Sequence, residues 1–173
     1  MTARAHEPSH LDDETLDFAT RVFDYARSGD SEALVTLLEQ GLPPDLRNHR
    51  GDSLLMLASY HGHLQTSRIL LAHGADPDLR NQSGQTPLAG AVFKGDLPMI
   101  QLLLEHGAEV DGTTPDGKTA LAIAALFDRV EAIDLLLAHG ADPQHRDANG
   151  LTPLDAAQRM GALKAAERLL YAS

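Results

Sequence analysis

Gly51, Gly84, Gly117 and Gly150 stand 33 residues apart, and Gly41, Gly74, Gly107 and Gly140 keep the same interval on a second track. In a chain with 14 glycines, an interval held on two tracks marks one small structural unit used repeatedly. A unit of that size cannot bury an apolar face alone, so successive units must stack and share one continuous core. The period therefore predicts an elongated stack with no internal domain boundary.

The units share more than glycine. Gly51, Gly84, Gly117 and Gly150 open the phrases Gly-Asp-Ser-Leu-Leu, Gly-Gln-Thr-Pro-Leu, Gly-Lys-Thr-Ala-Leu and Gly-Leu-Thr-Pro-Leu. Leu70-Leu71, Leu103-Leu104, Leu136-Leu137 and Leu169-Leu170 follow in register, and His-Gly-Ala-Asp or His-Gly-Ala-Glu closes the units at 73–76, 106–109 and 139–142. This combined pattern resembles the ankyrin repeat family, from about residue 20 to the C-terminus. The resemblance implies an all-α repeat solenoid, in which helix-turn-helix units are joined by β-hairpin-like fingers. Shifting the register back places Gly29, Leu37-Leu38 and Gly41 under Gly62, Leu70-Leu71 and Gly74. The organisation expected is a disordered arm at 1–11, an N-cap unit at 12–48, repeats at 49–81, 82–114 and 115–147, and a C-cap unit at 148–173.

Within one repeat, Ser53 is placed to cap a short helix ending near Tyr60, Gly62 to turn the chain, and Leu64 to Ala72 to form a second helix before Gly74. Asp128 replaces the turn glycine in repeat three, so that turn is expected to be the weakest. The family's Thr-Pro-Leu-His carries Met56, Ala89, Ala122 and Asp155 at the His position. The Thr-to-His hydrogen bond that the resemblance implies cannot form. Lys164, Glu167 and Arg168 among the last leucines predict a wet outer face on the C-cap unit.

A chain without cysteine has neither disulfides nor thiolate metal sites. Residues 1–9 lack the apolar core of a secretory signal, and no stretch is long enough to span a bilayer, so a cytoplasmic location is expected. A net charge of −11 repels phosphate, which argues against nucleic acid or anionic membrane as partner. No nucleophile elbow, phosphate loop, zinc-protease or dinucleotide motif occurs, so no enzyme activity and no cofactor are expected. The column His73, His106 and His139 offers one ligand per repeat. Helices packed 8–10 Å apart cannot bring such ligands to one metal ion, so the column reads as a helix-ending device and no metal is expected.

Positions that vary while the scaffold stays constant are available for recognition. The family resemblance places the partner face at the finger tips and the ends of the first helices. Register then selects Arg47, His49, Arg50, Tyr60 and His61 in repeat one, and Arg80, Phe93 and Lys94 in repeat two. Repeat three supplies Lys118, Leu126 and Phe127, and the last unit Arg146, Arg159 and Met160. Asp52 and Asp116 are the acidic residues on that face, which makes it basic on an acidic chain. Tyr60, Phe93 and Leu126 form an apolar ridge beside an arginine row of Arg47, Arg80 and Arg146. Aromatic and arginine side chains dominate interface energetics. The expectation is a monomeric, non-enzymatic module that binds another protein through an acidic segment with apolar anchors. Two alternatives remain open. Small stand-alone bacterial ankyrin proteins, which the chain resembles in size and Ala/Arg-rich style, are linked with catalase, which would make it an accessory to a stress-defence enzyme. A deep polar pocket would instead point to a small-ligand binder.

Overall fold

Residues 11–172 are described by a computed structural model; the expected N-terminal arm lies, up to residue 10, outside the described residues. Ten helices are present among them, arranged as five antiparallel pairs: α1 (Leu11–Ser28) with α2 (Ser31–Glu39), α3 (Leu54–Tyr60) with α4 (Leu64–Ala72), α5 (Pro87–Lys94) with α6 (Leu97–Glu105), α7 (Ala120–Leu126) with α8 (Val130–Ala138), and α9 (Pro153–Met160) with α10 (Leu163–Leu170). First helices pack on first helices and second helices on second helices along the stack. The fold is thus the all-α repeat stack that the 33-residue period demands. The fingers contain single antiparallel bridges, Arg47 with Ser53 and Thr113 with Thr119, rather than extended strands.

Each first helix of a repeat starts where a hydroxyl caps it. Ser53 accepts from the Met56 N–H at 3.0 Å, and Thr86, Thr119 and Thr152 accept from Ala89, Ala122 and Asp155, each at 3.2 Å. Repeat four recovers a reciprocal bond without histidine, because the Thr152 N–H donates to the Asp155 carboxylate at 3.0 Å and completes a capping box. The second helices end on the histidine column. Nδ1 of His73, His106 and His139 donates to the carbonyls of Ile69, Leu102 and Leu135 at 2.9, 2.9 and 3.0 Å. A carbonyl can only accept, so Nδ1 carries the proton in all three.

The core follows the leucine register. Leu70, Leu103 and Leu136 are fully buried, and Leu71 and Leu104 nearly so because the following repeat covers them. Leu170 holds the same position in the last unit and is 61% exposed, as Leu163 is 78%. The C-cap face therefore carries apolar as well as charged side chains, which the sequence reading of a wet face did not include. Carboxylates lace neighbouring fingers: Asp45, Asp78 and Asp111 accept the backbone N–H of Asp76, Glu109 and Asp142, 31 residues on, at 2.8, 2.9 and 3.0 Å.

The turns between paired helices use the left-handed region at Gly29, Gly62, Gly95 and Gly161, and at Asp128 with φ 56°. A Cβ on Gly29 would lie 2.5 Å from Nδ1 of His63, and one on Gly95 would lie 3.2 Å from the Arg129 guanidinium. His63 uses that space to reach the Arg27 carbonyl at 2.8 Å, and Arg129 to reach that of Phe93 at 3.3 Å. Asp128 faces the small Ala162 register position. Its carboxylate accepts the Ala165 N–H at 2.7 Å and caps α10, whose own N-cap residue, Ala162, has no side chain that can do so. The expected weak turn is therefore compensated by a bond into the next unit.

Candidate interaction groove

A trough of 1040 Å³ runs across the first three full repeats, between the first helices and the fingers. Met56, Ala89, Gly90 and Ile123 line it from α3, α5 and α7, and Asn48, Asn81 and Thr114 from the fingers. Those three finger residues hold their turns rigid. Asn48 Oδ1 accepts the N–H groups of Arg50 and Asp52 at 2.9 and 3.0 Å, Asn81 Oδ1 those of Ser83 and Gln85 at 3.0 Å each, and the Thr114 hydroxyl that of Lys118 at 3.2 Å.

The aromatics stand in this trough and remain accessible. Tyr60, Phe93 and Phe127 are 41%, 45% and 46% exposed. Phe93 and Phe127 meet edge to face at 5.1 Å, a favoured arrangement of ring quadrupoles. Leu126 also lines the groove and is half-buried, but it is Phe127, one position outside the expected ridge, that joins Phe93. Lys94 lies 4.4 Å from the centre of the Tyr60 ring, within cation–π range. Gly90 lets that ring lie close to α5, since a Cβ there would approach Tyr60 Cδ2 to 3.3 Å.

The cations divide into two sets. Arg80 donates to the carbonyls of Gly84, at 3.1 Å, and Thr113; Arg47 donates to that of Arg80 at 3.4 Å, and Arg146 to that of Gly150 at 2.7 Å. None of the three lines the trough; Arg47 and Arg80 tie neighbouring fingers together, and Arg146 braces its own. Lys118 lines it, but pairs with Asp116 at 2.6 Å and Asp147 at 3.6 Å. The bond that Lys118 donates to Asp116 holds the Asp116 carboxyl below its ordinary value and raises that of the Lys118 ammonium. His49, Arg50 and His61 line the trough directly. Burial, and then the charges of His63, Arg27 and Lys94, push the His61 imidazole below its ordinary value. Arg159 and Met160 sit apart: Arg159 borders a shallower depression of 440 Å³ with Leu151, Asp155 and Gln158, and Met160 is exposed at the end of α9.

Arg27 lines the trough at its N-terminal end and pairs with Asp24 at 2.6 Å. The sequence reading omitted it, although it lies 33 residues before Tyr60 and the register alone would have found it. Among the described residues, no group of three or more His, Asp or Glu side chains is placed to hold a metal ion, and no helix is long and apolar enough to cross a membrane.

The geometry is that of a helical repeat stack with an open trough between its first helices and its fingers. The description of the ankyrin repeat family, in three copies, matches residues 22–114 and 91–173, and the chain belongs to that family. Ankyrin repeats are generally non-enzymatic modules that mediate protein–protein interaction. A Pseudomonas aeruginosa protein named as an ankyrin repeat protein is 64% identical over 59 residues, a stretch that covers 34% of each chain.

Proposed function

We propose that this chain binds another protein through the trough, taking up an acidic segment with apolar anchors, and acts by binding rather than by catalysis. The observation that carries the reading is the accessible Phe93–Phe127 pair in a trough that Arg50 and His61 also line, with Lys94 over the Tyr60 ring, on a chain whose net charge is −11. Exposed aromatic rings in a rigid concavity supply contact area at little entropic cost, and the cations set partner sign and encounter rate. A trough that crosses three repeats suits a polypeptide better than a compact small molecule.

The test uses a labelled synthetic peptide of Asp, Glu, Leu and Phe, with a Lys-substituted version as control, titrated into the full chain and read by fluorescence anisotropy. The acidic peptide should bind and the basic one should not. Phe93→Ala should weaken binding about thirtyfold, the equivalent of a 2 kcal/mol hot spot, mainly through faster dissociation. Arg50→Glu should slow association and flatten its salt dependence. Equal binding by both folded variants moves the site to another face.

A further inference from the structure

The first helix is longer than its place in the stack requires. α1 has 18 residues, whereas the first helices of the later units have seven or eight. In register with α3 it would begin near residue 21, and its fully buried side chains are indeed Val22 and Ala26. The preceding stretch, Leu11 to Thr20, adds nearly three turns of helix. It carries Asp12, Asp13, Glu14 and Asp17 with no basic residue, and it leaves Leu16 63% and Phe18 40% exposed. An acidic segment with two accessible apolar side chains is the partner chemistry proposed for the trough.

We propose that the α1 extension of a second copy of this chain occupies the trough. This rests on the trough being the binding face. The extension is continuous with a helix docked against α3, so it cannot enter the trough of its own chain without unwinding. A second copy can supply it with α1 intact. Asp13, Glu14 and Asp17 would face the cations at Arg50 and Lys94, while Phe18, on the Glu14 side of the helix, would meet the Phe93–Phe127 pair. If each copy gives its extension to the other, the exchange closes as a two-fold dimer. This replaces the monomer expected from the sequence. Because charge attraction contributes and is screened by salt, the dimer should weaken as ionic strength rises.

Sedimentation velocity on the full chain tests this across a concentration series at low and high salt. The expected result is a monomer–dimer equilibrium that shifts to monomer in high salt. Asp13→Asn/Glu14→Gln/Asp17→Asn removes the donor charge and leaves the trough intact, and Arg50→Glu damages the trough and leaves the donor intact. Each should raise the dimer dissociation constant at least tenfold, with helical circular dichroism unchanged. Mixed together they should form a heterodimer, because one still supplies an extension and the other a trough. A wild-type chain that stays monomeric into the millimolar range overturns the proposal. So does a dimer that both variants form as well as the wild type, which would place the interface elsewhere, such as the exposed leucines of α10. The labelled acidic peptide separates the two readings: if it binds a monomeric wild-type chain, self-pairing fails and the trough remains a binding face, whereas loss of both removes both.

Discussion

The Asp128 carboxylate accepts a hydrogen bond from the Ala165 backbone N–H at 2.7 Å, across 37 positions of sequence. One residue thereby occupies a left-handed turn in repeat three and caps a helix in the next unit. Asp128→Ala should cost about 1–3 kcal/mol, since it loses the cap and keeps the unfavourable backbone. Asp128→Gly should cost much less, because relief of the turn offsets the lost cap. Urea denaturation of both variants checks this; equal losses would mean that the turn geometry contributes nothing.

Ser67 is fully buried, and its hydroxyl has no hydrogen-bond partner among the described residues. The same register position holds Ile100 and Ile133, so its surroundings are apolar. Ser67→Ala should stabilise the chain by about 1 kcal/mol by removing an unsatisfied polar group. A lower thermal midpoint for the variant would show that the hydroxyl is satisfied in solution.

Leu103→Ala in the central repeat should cost about 2–5 kcal/mol and loosen both neighbouring units, because an interior repeat supports two interfaces. Leu169 is also buried, but it lies in the last unit, and Leu169→Ala should cost less. Hydrogen exchange would resolve the difference: the first change should lower protection on both sides of α6, and the second only near α10. A larger global loss from Leu169→Ala would contradict a one-dimensional stack.

Acid should destabilise the C-terminal fingers first. The Asp147 carboxyl is held below its ordinary value chiefly by the Leu151 backbone N–H, with help from the Asn149 backbone N–H and the Lys118 ammonium, and Asp155 chiefly by the Thr152 backbone N–H. A carboxyl whose folded pKa is depressed contributes fully above its unfolded value, near 3.9, and loses that contribution as pH falls through the folded one. Denaturation midpoints should therefore fall between pH 5 and 2, and Asp147→Asn should flatten the slope. An unchanged slope would mean that another carboxylate dominates the acid transition.

The helices were legible because they are written in local signals. Ser53, Gly62 and Gly74 bound α3 and α4 where the periodicity puts them. The bond from Asp128 into the next unit was not legible because its partner is 37 residues away, beyond any local pattern. The register could place Arg80 at the base of a finger, but could not show its guanidinium turned onto the Gly84 and Thr113 carbonyls, since a long side chain chooses its direction through space. Phe127 escaped the expected ridge for the related reason that a strict 33-residue column cannot anticipate a neighbour packing across it.

The space beside three of the turns also constrains the order of the units. His63 fills the room above Gly29, Arg129 that above Gly95, and Asp128 keeps its own side chain where Ala162 leaves room. A left-handed aspartate placed ahead of His63 would meet the imidazole within 3 Å, and a glycine ahead of Ala162 would leave α10 uncapped. Although the repeats look interchangeable by sequence, a permuted chain would break these three junctions, so the units that carry them specify which unit follows.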